Sequence, residues 1–236
     1  MVTIGDRTRA GSNDDLLRAL KALAVRLHRA SWASGDLSPR TDKSVALSRI
    51  AKSAAEAIEL STDGKALPHV IIFATSVRAV FELYARCLYV LKNDQNLRQW
   101  IEEAWIDRIE LWQAIRKAPQ VTPELTREFD AEVARLRQDA ADKALNVDRK
   151  IPKPFEIAKE AGMDNEHQSF YKLYSKLVHA SSFLVNGNRD EVNGPGIMAA
   201  LQLNVQYYGH AFVGTVCDAL GFDQNVVAPV DPDGAA

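Results

Sequence analysis

The sequence predicts an all-α protein, a multi-helix bundle arranged around one very hydrophobic helix at about 67–92. Two observations carry that reading. Apolar residues recur at helical spacing along nearly the whole chain, while strand-type alternation is almost absent. Start and stop signals also divide the chain into segments of ordinary helix length. With 236 residues, 47% apolar and 25% charged, the chain is long enough to bury a sizeable core and has a soluble globular composition.

The elements follow in order. Residues 1–12 read as a flexible polar tail, after which Asn13 or Asp14 caps a helix to about Trp32, with Leu16, Leu20, Leu23 and Leu27 on one stripe. GDLSPR is a loop. A second helix at about 41–62 carries Val45, Leu47, Ile50, Ala54, Ala57 and Ile58 until Asp63-Gly64 ends it. The third, about 67–92, is apolar on nearly every side, as expected of a helix surrounded by others. Lys92-Asn93-Asp94 stops it, and a fourth runs over about 96–117 with Trp100, Trp105 and Trp112 read as interface residues. Thr122-Pro123 starts a charged helix at about 123–146, whose thin stripe is Leu125, Phe129, Val133, Leu136 and Ala140. That stripe suits either a solvated outer helix or an arm pairing with a second copy.

RKIPKPF is the one candidate internal linker. A short helix at about 154–162 precedes a helix at about 165–185, FYKLYSKLVHASSFLV in its main part. NGNRDEVNGPG is a loop, a last helix spans about 196–220, and residues 223–236 read as a flexible tail. The expectation is a single helical domain over 13–222.

Composition narrows function. A net charge of −2 gives no global signature for nucleic acid or membrane. Cys87 and Cys217 lie far apart in apolar helical patterns, which fits buried thiols in a cytoplasmic protein better than a disulfide. MVTIGDRTRAGSNDD is polar and reads as a tail rather than a hydrophobic leader, and VIIFATSV is too short to span a bilayer. No Glu-x-x-His, His-Glu-x-x-His, Cys-x-x-Cys, G-x-S-x-G or phosphate-cradling glycine loop occurs, so neither metal nor cofactor is expected.

The polar residues that remain sit in two stripes. Arg78, Glu82 and Arg86 are spaced i, i+4, i+8, with Thr75 one turn before. Tyr171, Ser175 and His179 repeat that spacing, with Ser182 beyond and Phe170, Leu173, Leu177 and Leu184 on the other side. If the two helices face each other, Arg78, Glu82, Tyr171, Ser175 and His179 form one cluster in the bundle core. A guanidinium fork there offers bidentate donors to a phosphate or carboxylate, and a histidine beside a carboxylate can move protons. A closed network of the same residues can equally be structural. Asn204, Tyr208 and His210 are candidates to complete it. His28 and His69 read as solvated, and His167 as a surface residue.

RAVFELYARCLYVL, followed far later by FYKLYSKLVHASS, resembles a bacterial family of uncharacterised helical proteins, a domain of unknown function. Its members pair an Arg-x-x-x-Glu helix with a Tyr-x-x-x-Ser-x-x-x-His helix, here Arg78, Glu82, Tyr171, Ser175 and His179. More distantly the chain looks like the HEPN superfamily of helical bundles, many of them metal-independent ribonucleases in toxin–antitoxin and phage-defence systems. HEPN nucleases carry an arginine before the histidine on the same helix, with four to six residues between. Here Lys172, Leu173 and Tyr174 hold those positions, so Arg78 or Lys172 would have to take the arginine's part.

Three expectations follow. The chain is a binding or defence-associated module holding a small anionic ligand with Arg78, Arg86, Lys172, Tyr171 and Ser175. Or it is a HEPN-like ribonuclease acting on RNA, with His179 as general acid/base and Arg78 and Glu82 beside it. Or it is an assembly protein that forms a homodimer through its charged helix.

Overall fold

The computed structural model describes residues 13–62, 69–179 and 194–223. The expected tails at 1–12 and beyond 223, the loop residues 186–193, Ser182 and Leu184 lie outside them. Every regular element among the described residues is helical. In chain order these are α1 (Asn13–Gly35), α2 (Asp42–Leu60), α3 (Val70–Lys92), α4 (Asp94–Ile115), α5 (Pro123–Asp142), α6 (Pro154–Glu160), α7 (Asp164–Glu166), a π turn (His167–Tyr171), α8 (Lys172–Val178) and α9 (Pro195–Leu220). Contacts gather them into two compact units, 1–91 with 154–236, and 92–153. The second boundary, between Lys153 and Pro154, falls inside RKIPKPF.

In the larger unit, α1 packs along α2 and against α9. The leucine stripe of α1 is buried, with Leu20 and Leu27 fully inaccessible. Thr41 caps α2 in a reciprocal box with Ser44, each side chain bonding the other's backbone N–H at 3.1 Å. Where α1 meets α9, Gly209 lies against Leu23 so closely that a Cβ would sit 2.4 Å from a leucine methyl. The missing side chain is what lets the two backbones approach.

α3 carries the largest apolar load of this unit, with Phe73, Val77, Val80 and Phe81 buried. It touches α2 through the Ser76 hydroxyl, which donates to Ala57 O at 2.5 Å. It meets α9 through Phe81 and Tyr84, which pack on Tyr208 at 5.1 and 6.1 Å. It meets α8 through Phe81 and Tyr174 at 6.1 Å. Both thiols are buried, and burial pushes each above the usual cysteine range.

The smaller unit pairs α4 with α5. Asn93 caps α4 by accepting from Asn96 N at 2.8 Å, and Thr122 caps α5 ahead of Pro123. Of the expected α5 stripe only Leu136 and Ala140 are buried, and Trp112 packs on Phe129 at 5.3 Å. The tryptophans are half-buried rather than core, and Trp105 carries the cations of Arg108 and Lys143, each 5.4 Å from its ring.

Some helix ends differ from expectation, each for a local reason. α5 stops at Asp142, not 146, because Ala144 turns left-handed at φ 53°. Ala144 N and Leu145 N then donate back to Ala141 O and Ala140 O, a closed Schellman ending made without glycine. The helix expected over about 165–185 is interrupted by the π turn and ends at Val178, where His179 is extended (φ −92°, ψ 156°).

Candidate functional site

The π turn shapes the site. A turn with i→i+5 bonding is wider than the 3.6-residue α turn, so residues four apart come closer to one azimuth. His167 and Tyr171 consequently stack, with ring centroids 4.2 Å apart and planes 14° off parallel. On the far side His167 meets Phe155 edge-on at 5.4 Å and Phe81 at 6.3 Å.

Arg78 reaches this stack from α3. Its Nε donates to Glu82 Oε1 at 2.8 Å, one helical turn along. Its Nη2 donates to the Tyr171 hydroxyl at 2.5 Å, with the guanidinium carbon 4.7 Å from that ring's centroid. Its Nη1 lies 3.1 Å from His179 Nε2. Arginine only donates, so in this contact His179 Nε2 is the acceptor. One guanidinium thus ties α3 to the π turn and to the residue that ends α8. Those three bonds use three of a guanidinium's five N–H donors.

The cluster sits on the rim of its unit, not in the core as the stripes suggested. The Arg78 and Glu82 side chains are 20% and 33% exposed, and His179 is exposed. The reason is the early end of α8: His179 leaves the helix where the buried stripe of Tyr174 and Leu177 stops. Ser175 is half-buried and accepts the His179 N–H through its carbonyl, and Lys172 is exposed. Arg86 lies one turn past Glu82, lining a small cavity with it.

The residues expected to complete the cluster go elsewhere. His210 Nδ1 lies 3.2 Å from the buried Arg26. Tyr208 packs among Phe81, Tyr84 and Tyr207. The Asn204 amide and the Tyr174 hydroxyl are both buried in the interior, and burial pushes the Tyr174 phenol far up. His28 is not solvated either: it stacks on Trp32 at 5.9 Å and meets Glu59 at 2.9 Å.

His167 is the residue that sequence reasoning missed, having been read as a surface side chain. It is half-buried in the stack, and its Nε2 is enclosed without a partner. Burial pushes the imidazole below the usual histidine value, Glu82 opposes that, and Arg78 adds to it. A signal existed: 167 continues the 171, 175, 179 series one step back at the same spacing.

Among the described residues no group of three or more His, Cys, Asp or Glu is placed to hold a metal ion. No described helix is long and apolar enough to cross a membrane. No curated protein and no solved structure matches the chain. Residues 44–194 match DUF5677, a family of unknown function, over a span that holds Arg78, Glu82, Tyr171 and His179. Since that span is well over half of the 236 residues, the chain belongs to this family of unknown function.

Proposed function

We infer that the protein is a HEPN-like helical module that binds a small anion, a phosphate or carboxylate group, at Arg78. The observation that carries this reading is the guanidinium itself. It is positioned by Glu82, Tyr171 and His179, one-fifth exposed, with N–H donors beyond those three bonds. A planar fork held in place loses little freedom when an anion arrives, which favours binding. Glu82 tempers the charge, so the site suits a single phosphate or carboxylate better than a polyanion.

The test is thermal shift and calorimetry with inorganic phosphate and nucleoside monophosphates. Wild type should gain stability with ligand concentration. Arg78→Lys should bind at least tenfold more weakly, because a point charge does not reproduce the fork. Absence of any ligand-dependent shift in wild type, or an unchanged shift in Arg78→Ala, ends the reading.

A ribonuclease reading is favoured by one observation, the exposed His179 imidazole against Arg78 at 3.1 Å. With Nε2 engaged by Arg78, Nδ1 is the nitrogen left to exchange a proton with substrate. Cleavage of RNA in EDTA that disappears in His179→Ala would favour it, and no cleavage by wild type rejects it.

A further inference from the structure

Behind the stacked rings, between α3, α6 and the π turn, lies a cavity of about 20 Å³ lined by Phe81, Glu82, Ala85, Arg86, Ile157 and His167 among others. That is room for one water molecule. A cavity of this size stays dry when its walls are apolar, and holds water when two to four polar groups converge on it. Here Glu82, Arg86 and His167 are the polar side chains that line it, on two separate elements. The His167 Nε2 is enclosed and has no partner among the protein's own groups. Buried polar atoms are rarely left so, because the hydrogen bond to bulk water has been given up with nothing in return.

We propose that this cavity holds one ordered water that bridges His167 Nε2 to the Glu82 carboxylate and the Arg86 guanidinium, making His167 a positioning residue for Arg78. The donors and acceptors balance. Arg86 gives an N–H to the water oxygen, and the two water hydrogens go to the imidazole nitrogen and the carboxylate. A carboxylate has lone pairs enough to receive that water and the Arg78 Nε–H together.

The consequence runs through two contacts. His167 is held from behind by the water and lies flat on Tyr171 in front, so the Tyr171 ring has one resting place. Glu82 is held by the same water and grips Arg78 Nε. Two of the three groups that hold the guanidinium, Glu82 and Tyr171, are therefore anchored through one shared molecule. The inference rests on Arg78 being the ligand site, yet its central claim can be read without any ligand.

A high-resolution crystal structure of the unliganded protein is the first test. A water within hydrogen-bond distance of His167 Nε2, Glu82 and Arg86 is the expected result. An empty cavity, or a water that leaves Nε2 unpartnered, overturns the proposal whatever the protein binds. The second test is His167→Phe, which keeps a flat ring against Tyr171 and removes the nitrogen. Nitrogen-15 spectra should then show the His179 Nε2 signal moving away from its hydrogen-bonded position, and phosphate affinity at Arg78 should fall several-fold. An unmoved His179 signal in a folded His167→Phe protein overturns the positioning role. If the water is present and the His179 signal moves but phosphate never binds, the anion reading fails and this one stands.

Discussion

The chain contains the Arg-x-x-x-Glu spacing on two helices consecutive in sequence, and the two copies differ in almost everything that follows. On α3, Arg78 and Glu82 are paired at 2.8 Å, and Glu82 is one-third exposed. On α4, Arg98 and Glu102 are paired at 3.3 Å, and Glu102 is 4% exposed. Glu102 also accepts the Asn146 N–H at 3.0 Å and the Arg149 guanidinium at 3.2 Å. Arg98 goes on to donate to Ala144 O. Every further contact of the α4 pair folds the 143–149 segment back onto its own helix. In the α3 pair the acid holds the base, and the base reaches outward to an aromatic hydroxyl and an exposed imidazole. The same spacing makes a staple in one place and a presented cation in the other. What decides is whether the carboxylate or the guanidinium gathers the remaining partners.

The difference is open to attack by mutation, and the largest effect belongs to the staple. Glu102→Ala leaves two guanidinia and a backbone N–H without their acceptor and should cost about 3 kcal/mol, the lower part of the range for a buried pair because Arg98 is half-exposed. Urea unfolding measures it. Glu82→Ala should cost about 1 kcal/mol or less, as a partly solvated i, i+4 pair does. Equal losses at the two positions would break the comparison.

The next effect is acid sensitivity. Burial raises the Glu102 carboxyl, but the Asn146 N–H and the Arg149 and Arg98 guanidinia more than offset it, so it titrates below the usual glutamate range. A carboxyl lowered on folding stabilises the protein above its unfolded value, about 4.3, and that contribution drains away as pH falls through the folded value. Glu102→Gln should therefore be less stable than wild type at neutral pH and show a flatter decline below about pH 4. Parallel curves for the two proteins would remove the electrostatic part of the staple.

The smallest effect belongs to the open site. His167 is lowered on folding, so it stays neutral where the unfolded chain would take up a proton. Stability should fall as pH drops below about 6.5, the unfolded histidine value, and His167→Phe should abolish that step. A step that persists in the variant assigns it to another histidine.

Much of the fold was legible because helix signals are local. Thr122-Pro123 starts α5 where the sequence indicates, and the leucines of α1 are buried at the spacing that marks them. Endings were harder, since α5 closes on a left-handed alanine, a residue that carries no stop signal. The candidate cluster was legible as a set of neighbours and not in its setting. Spacing singled out Arg78, Glu82, Tyr171 and His179, and the structure brings the last three within hydrogen-bond reach of the Arg78 guanidinium. It could not reveal the π turn, whose widening depends on packing rather than on composition. Nor could it show that His210 pairs with Arg26, because both are ordinary interior positions on separate helices.

The π turn makes the number of residues between His167 and Tyr171 as important as their identities. Such a turn is a helix that has absorbed one additional residue. Deleting Gln168 or Ser169, both exposed, removes that residue and leaves the histidine and the tyrosine three apart in a regular helix, about 60° short of a full turn. Tyr171 would swing off the imidazole beneath it without any change of side chain. Among related sequences, a gap of one position in this stretch would mark a dismantled site even where arginine, tyrosine and histidine all survive.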